Sequence, residues 1–393
     1  MIPVPSSRFL LYGAVAACPE LVKSGVKMQL KLCLDRIRYK VGLMGRVSYK
    51  NYAEFNAFNR GDNAIVVATQ QWIKKTFPDR QIFLVDWGMV NSVKPEGCDK
   101  LVVCGSGYFF PNSQGRLSAR VADDLEWVKK SGTELHFLGV GFNYLLKWPN
   151  LQLAADSSAI VRDMLELSST ITVRDRNTQE FLRQFTSKPI RIIGDPALFI
   201  DVARRTDRSL INGRRLRVGV NVPFHGPNAT EWIKKNLKKL IATLKIIRNK
   251  VGCDFYYFVH YEAEVLVAKL IKDSGIPLTV VNSSAVDLPN EYVNIDMHIG
   301  GMLHTCILAT AAGTPSIGLA YDHKHHGFFE LMDSSAYCID ASSFDAEVLL
   351  HKVFSLLENI DAQTEKIKRR REELESSFRE AVSIIGGDAS DLR

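Results

Sequence analysis

Five of the chain's nine histidines, His298, His304, His323, His325 and His326, fall within the stretch NIDMHIGGMLHTCILATAAGTPSIGLAYDHKHHGFF. Imidazole ordinarily titrates near neutrality, so a histidine held beside a substrate can give or take a proton at physiological pH. Gly300-Gly301 leads into a helical pattern that begins near His304. Backbone N–H groups at a helix start favour an anion. An imidazole beside that anion has the chemistry of a general acid or base, and the other use of His304 is to cap or pack the helix. His323, His325 and His326 make a poor metal cage, since two of them are adjacent and Asp322 is the nearest carboxylate. A loop with Tyr321 and Lys324 beside an anion accounts for them better, with Lys324 either a point charge for a phosphate or a solvated lysine.

Other chemistry-bearing residues follow apolar strand patterns, where open α/β sheets bind their ligands. KLVVCGSGYFF puts Gly105 and Gly107 just past a strand, and LGVGFNY repeats the device with Gly139 and Gly141. Missing side chains there admit a ligand or a packed turn. STITVRDRNTQEF sets Arg174 and Asp175 at another strand end. The Arg174 guanidinium is a fork for a carboxylate or phosphate, or half of a structural pair with a neighbouring acid.

The elements that must position these residues alternate. QIFLVDW, KLVVCG, ELHFLGVG, STITVRD and IRIIGD read as strands, with GDNAIVVATQQWIKKTF, ARVADDLEWVKKSG and NTQEFLRQF as amphipathic helices between them. Around residues 201–217 the pattern breaks into a polar stretch with six arginines, then strand and helix alternate again from RVGVNVPF onward. At 393 residues the chain exceeds one ordinary core. We therefore expect an α/β protein of two Rossmann-like domains facing across a cleft. The expected boundaries are a basic extension over 1–50, domains over 51–205 and 206–345, and C-terminal helices over 346–393, whose mixed charges suit an exposed scaffold.

The net charge of +7 lies wholly in residues 1–50, where nine Lys or Arg meet two acids among apolar residues. That pattern suits an anionic membrane surface, an acidic partner or an ordinary helix with a solvated basic face. No nucleic acid partner is expected. No apolar run is long enough to span a bilayer, and the seven scattered cysteines include no CxxC pair, which suits a reducing cytoplasm, with peripheral membrane contact through residues 1–50.

The motifs NRGDNAIVVA, Gly-Ser-Gly after KLVVC, LGVGFN, TVRDRNT, IIGDPAL and above all LHTCILATAAGTPSIGLAYDHKH resemble those of the polysaccharide pyruvyl transferase family, in the family's order over residues 59–340. The resemblance implies a GT-B-like fold and transfer of a pyruvyl group from phosphoenolpyruvate to a glycan, with no cofactor and no metal. Carried over motif by motif, it implies catalytic roles for His304 and Asp62. Donor or acceptor contacts are implied at Arg174, Lys324 and Tyr321, and the strand-end Gly105, Gly107, Gly301 and Met302 complete the site. Met302 stands where the family commonly has an arginine, a departure that either leaves donor binding to Lys324, Arg174 or a histidine of 323–326 or means that the donor is not phosphoenolpyruvate. Two other readings are a glycosyltransferase with a nucleotide-sugar donor and a non-catalytic glycan-binding or scaffold relative.

Overall fold

The structure is a computed structural model and describes residues 8–13, 59–86, 99–144, 152–203, 214–224 and 229–387. The chain divides into two compact units, Met1–Ile200 with Leu374–Arg393, and Asp201–Glu373.

The first unit is built on β1 (Arg8–Gly13), α1 (Arg60–Thr76), β2 (Gln81–Asp86), β3 (Lys100–Cys104), α2 (Ala119–Ser131), β4 (Glu134–Val140), α3 (Ala155–Leu167), β5 (Ser168–Val173), α4 (Arg176–Leu182) and β6 (Ile190–Ile192). Its sheet is parallel in the order β2-β1-β3-β4-β5-β6. Helices cover both faces of such a sheet, so its strands read as unbroken apolar runs; β3 is buried along its whole length. One expectation is corrected here. Arg8–Gly13 lies within the sheet, paired to β2 on one side and β3 on the other, and so is no extension outside the domain. Most of residues 1–50, and with them the expected membrane contact of that segment, lie outside the described residues.

The second unit contains β7 (Leu216–Val220), α5 (Ala229–Val251), β8 (Cys253–Phe258), α6 (Glu264–Asp273), β9 (Leu278–Val281), α7 (Leu288–Tyr292), β10 (Met297–Gly300), α8 (Leu303–Ala311), β11 (Ser316–Ala320), α9 (His323–Leu331) and β12 (Cys338–Asp340). Its strands are also parallel, in the order β12-β11-β10-β7-β8-β9. The strand order reverses between β1 and β3 in the first sheet and between β7 and β10 in the second. These switch points open crevices at the carboxyl ends of the strands, where ligands of such sheets bind.

α10 (Ala346–Glu358) and α11 (Ile360–Gly386) end the described chain. The tail is more than an exposed scaffold. Leu374, Phe378, Val382 and Ile385 bury one stripe of α11. Phe378 stacks on Phe199 at 4.6 Å and meets Trp72 edge-on at 5.6 Å, which fastens this stretch to the first unit.

His298 belongs to the core of the second unit. It is fully buried on β10 with its ring edge-on to Phe258 and Tyr292, and neither ring nitrogen has a hydrogen-bond partner. Burial pushes its pKa down to about 3. The folded chain therefore holds this imidazole neutral while the unfolded chain protonates it below its ordinary value of about 6.5. Its contribution to stability is intact above that pH and is lost as pH falls toward 3, by about 1.4 kcal/mol per pH unit. Urea unfolding of the parent and of His298→Leu between about pH 7 and pH 4 should show a gap that moves in the variant's favour as pH falls. A pH-independent gap would contradict this account of the buried ring.

Candidate active site

At the switch point of the second sheet, Asn221 follows β7 and Met302 follows β10. Asn221 Oδ1 accepts from the Met302 N–H at 2.9 Å, and its Nδ2 donates to Phe258 O and to the buried Glu264 carboxylate, at 2.9 and 3.1 Å. The turn into α8 is thereby held from below. Met302 is the N-cap residue of α8 and offers no side-chain cap, so His304, inside the first helical turn and half-buried, is not the cap that its position suggested. Gly301 is needed for packing: a Cβ there would stand 2.0 Å from Val222 C and 2.1 Å from Pro223 N.

Met302 is nearly buried. The Phe224 N–H points at its sulfur from 3.4 Å and the Tyr321 hydroxyl from 3.9 Å. Asp322 caps α9 by accepting from the Lys324 N–H at 3.1 Å. The Lys324 ammonium lies 3.9 Å from that carboxylate and 5.2 Å from the Tyr321 ring centroid, so its charge is already partly met; it stands in the first turn of α9 and not in the expected loop. His325 is fully buried. Its Nε2–H donates to Gly301 O at 3.2 Å, since a carbonyl can only accept, and burial holds its pKa well below the ordinary value, with the Lys324 charge pushing the same way. It thus braces the glycine turn as a neutral imidazole. Among the described residues no group of three or more His, Cys, Asp or Glu is arranged to hold a metal.

The first unit has a matching arrangement at its own switch point. Asp62, in the first turn of α1, accepts from Asn59 Nδ2 through one oxygen and from Ser106 Oγ at 3.0 Å through the other. Ser106 follows β3 at φ 59°, a left-handed backbone that costs a non-glycine residue roughly 1–2 kcal/mol. The neighbouring main chain holds it there, for the Gly141 N–H donates to Ser106 O at 2.7 Å.

Arg174 is 4% exposed. Its Nε donates to Asp175 at 3.2 Å and its Nη2 to Asn143 Oδ1. Asp175 in turn caps α4 through the Thr178 N–H at 2.7 Å. A Cβ at Gly141 would lie 2.4 Å from the guanidinium carbon, and one at Gly107 would lie 2.0 Å from Asn143 Nδ2. At Gly105 a Cβ would come 2.8 Å from Ile65. The space left by these glycines is thus filled by protein side chains.

The sequence profile of the polysaccharide pyruvyl transferase family matches residues 59–323, more than half of the 393-residue chain. The chain belongs to that family. A comparison with curated proteins gives no match. Among solved structures, one described as a UDP-N-acetylglucosamine 2-epimerase from Listeria monocytogenes superposes with a TM-score of 0.54 at 11% identity, covering 79% of this chain and 88% of that one. The S. aureus MnaA–UDP co-structure does so at 0.50 and 9% identity, covering 78% and 88%. At such identities the likeness concerns the fold: this family member has two Rossmann-like halves, the GT-B type.

Four site residues escaped the sequence reading: Ser106, Asn143, Asn221 and Phe224. Ser106 and Asn143 sit inside motifs that drew attention for their glycines. Asn221, directly after the RVGV strand, carries the same strand-end signal as Arg174.

Proposed function

We propose that the chain transfers the pyruvyl unit of phosphoenolpyruvate to two hydroxyls of a sugar residue in a polysaccharide or its lipid-linked precursor. The observation that carries this reading is the placement of family-motif residues at the switch points: His304 in the turn tied by Asn221, and Asp62 bonded to Ser106.

In the proposed reaction a proton added to the enol methylene makes C2 electrophilic. A sugar hydroxyl adds to C2 and loses its proton, phosphate departs, and a second hydroxyl closes the ketal with loss of its own proton. His304 supplies the first proton and Asp62 takes the hydroxyl proton. Lys324 and Tyr321 contact the carboxylate and phosphate, while Gly105, Gly107, Gly301 and Met302 shape the turns at the two switch points.

Met302 favours one alternative, a nucleotide-sugar donor, because its thioether brings no cation for a small dianion. Calorimetric titration separates the two. Phosphoenolpyruvate should bind, uridine diphosphate sugars should not, and Met302→Arg should tighten phosphoenolpyruvate binding. Binding of the nucleotide-sugar alone would establish the alternative, and binding of glycan alone a non-catalytic relative.

A further inference from the structure

Of the six lysines of α5, Lys234, Lys235, Lys238, Lys239 and Lys245 lie along one exposed arc, and Glu231 is the single acid in the helix. None of the five makes an ion pair or a side-chain hydrogen bond among the described residues. Several exposed helical bases elsewhere in the protein are paired: Lys130 with Glu126, Lys129 with Asp163, Lys269 with Asp273, Lys368 with Glu365 and Arg379 with Glu375. On α5 the spacing does the opposite, since Lys234–Lys238 and Lys235–Lys239 are like charges one helical turn apart, which destabilise a helix. The opposite face is committed to the core through Trp232, Leu237, Leu240, Leu244 and Ile247. The helix therefore keeps its lysines on the solvent side, where water and salt screen them and an anionic surface would attract them.

We infer that this face docks the protein on an anionic lipid surface. The charges of this arc are lysine ammoniums, point charges suited to a diffuse array of headgroups; Arg248, the helix's single arginine, lies at its border, partly exposed with a buried Nε. Ile246 is 40% exposed among them, and Ala242 lies exposed in the same arc. A bilayer interface rewards such aliphatics, whereas a phosphate backbone does not. The helix runs 23 residues, about 34 Å at 1.5 Å per residue, and presents the lysines along one side. In a β-α-β crossover it leaves the carboxyl end of β7, so Lys234 to Lys239 lie toward the edge of the sheet that holds Asn221 and Met302. Among the described residues no helix is long and apolar enough to cross a membrane. The inference does not depend on the proposed reaction.

The test is co-sedimentation of the full chain with phosphatidylglycerol–phosphatidylcholine vesicles and with pure phosphatidylcholine vesicles. The parent should bind the anionic vesicles alone, and less at high salt. Lys234→Gln/Lys235→Gln/Lys238→Gln/Lys239→Gln should weaken that binding at least about tenfold. The variant changes exposed side chains only, and its unchanged thermal melt would verify folding. A second variant, Lys269→Gln/Lys272→Gln/Lys368→Gln/Arg369→Gln, removes the same charge elsewhere and should bind like the parent. Equal binding by the parent and the α5 variant would overturn the inference. So would equal loss in both variants, or α5-dependent binding to an oligonucleotide without binding to the anionic vesicles.

Discussion

His304→Ala is expected to lower kcat by about 10²–10⁴-fold, the usual worth of a positioned general acid, while leaving the dissociation constant for phosphoenolpyruvate within a few-fold of the parent's. The imidazole sits in the first turn of α8, half-buried, beside a main-chain turn fixed by Asn221 and by His325. Because neither brace involves the His304 ring, the substitution should leave the turn in place, and the loss should appear in turnover rather than in binding. Single-turnover kinetics with a titration of donor affinity would separate the two. Parental turnover in the alanine variant would reduce His304 to a packing residue.

Arg174→Ala should fail in another way. The guanidinium is buried against Asp175, itself 2% exposed, and against Asn143. Removing one partner of a buried ion pair leaves the other charge uncompensated, which costs about 3–5 kcal/mol. Asp175 also caps α4, so the loss should spread into that helix. Arg174→Lys keeps the charge but not the two-pronged geometry and should fall between. Urea unfolding measures this directly. If Arg174→Ala keeps parental stability and loses only donor affinity, the guanidinium serves the ligand rather than the fold.

Much of this framework could be read in the sequence because parallel strands and amphipathic helices have distinct periods. GDNAIVVATQQWIKKTF marked α1 and KLVVC marked β3 to within a residue or two. RFLLYG did not declare itself, since a strand with a parallel neighbour on each side shows no alternation. The four-residue β10, which ends in glycine, was too short for any period to show. The site was legible in residue types and illegible in partners. Arg174 stands beside Asp175 in sequence, but its other partner, Asn143, is 31 positions away, and Asn221 reaches Met302 across 81. Such pairs follow from strand order, which local pattern does not encode.

The most direct measurement of the central claim is the fate of phosphoenolpyruvate with purified protein across a panel of glycan acceptors. The account predicts phosphate release that requires an acceptor, together with an acceptor heavier by the mass of pyruvic acid less one water. Phosphate release without modification of any acceptor, or transfer of a sugar from a nucleotide donor under the same conditions, would contradict it.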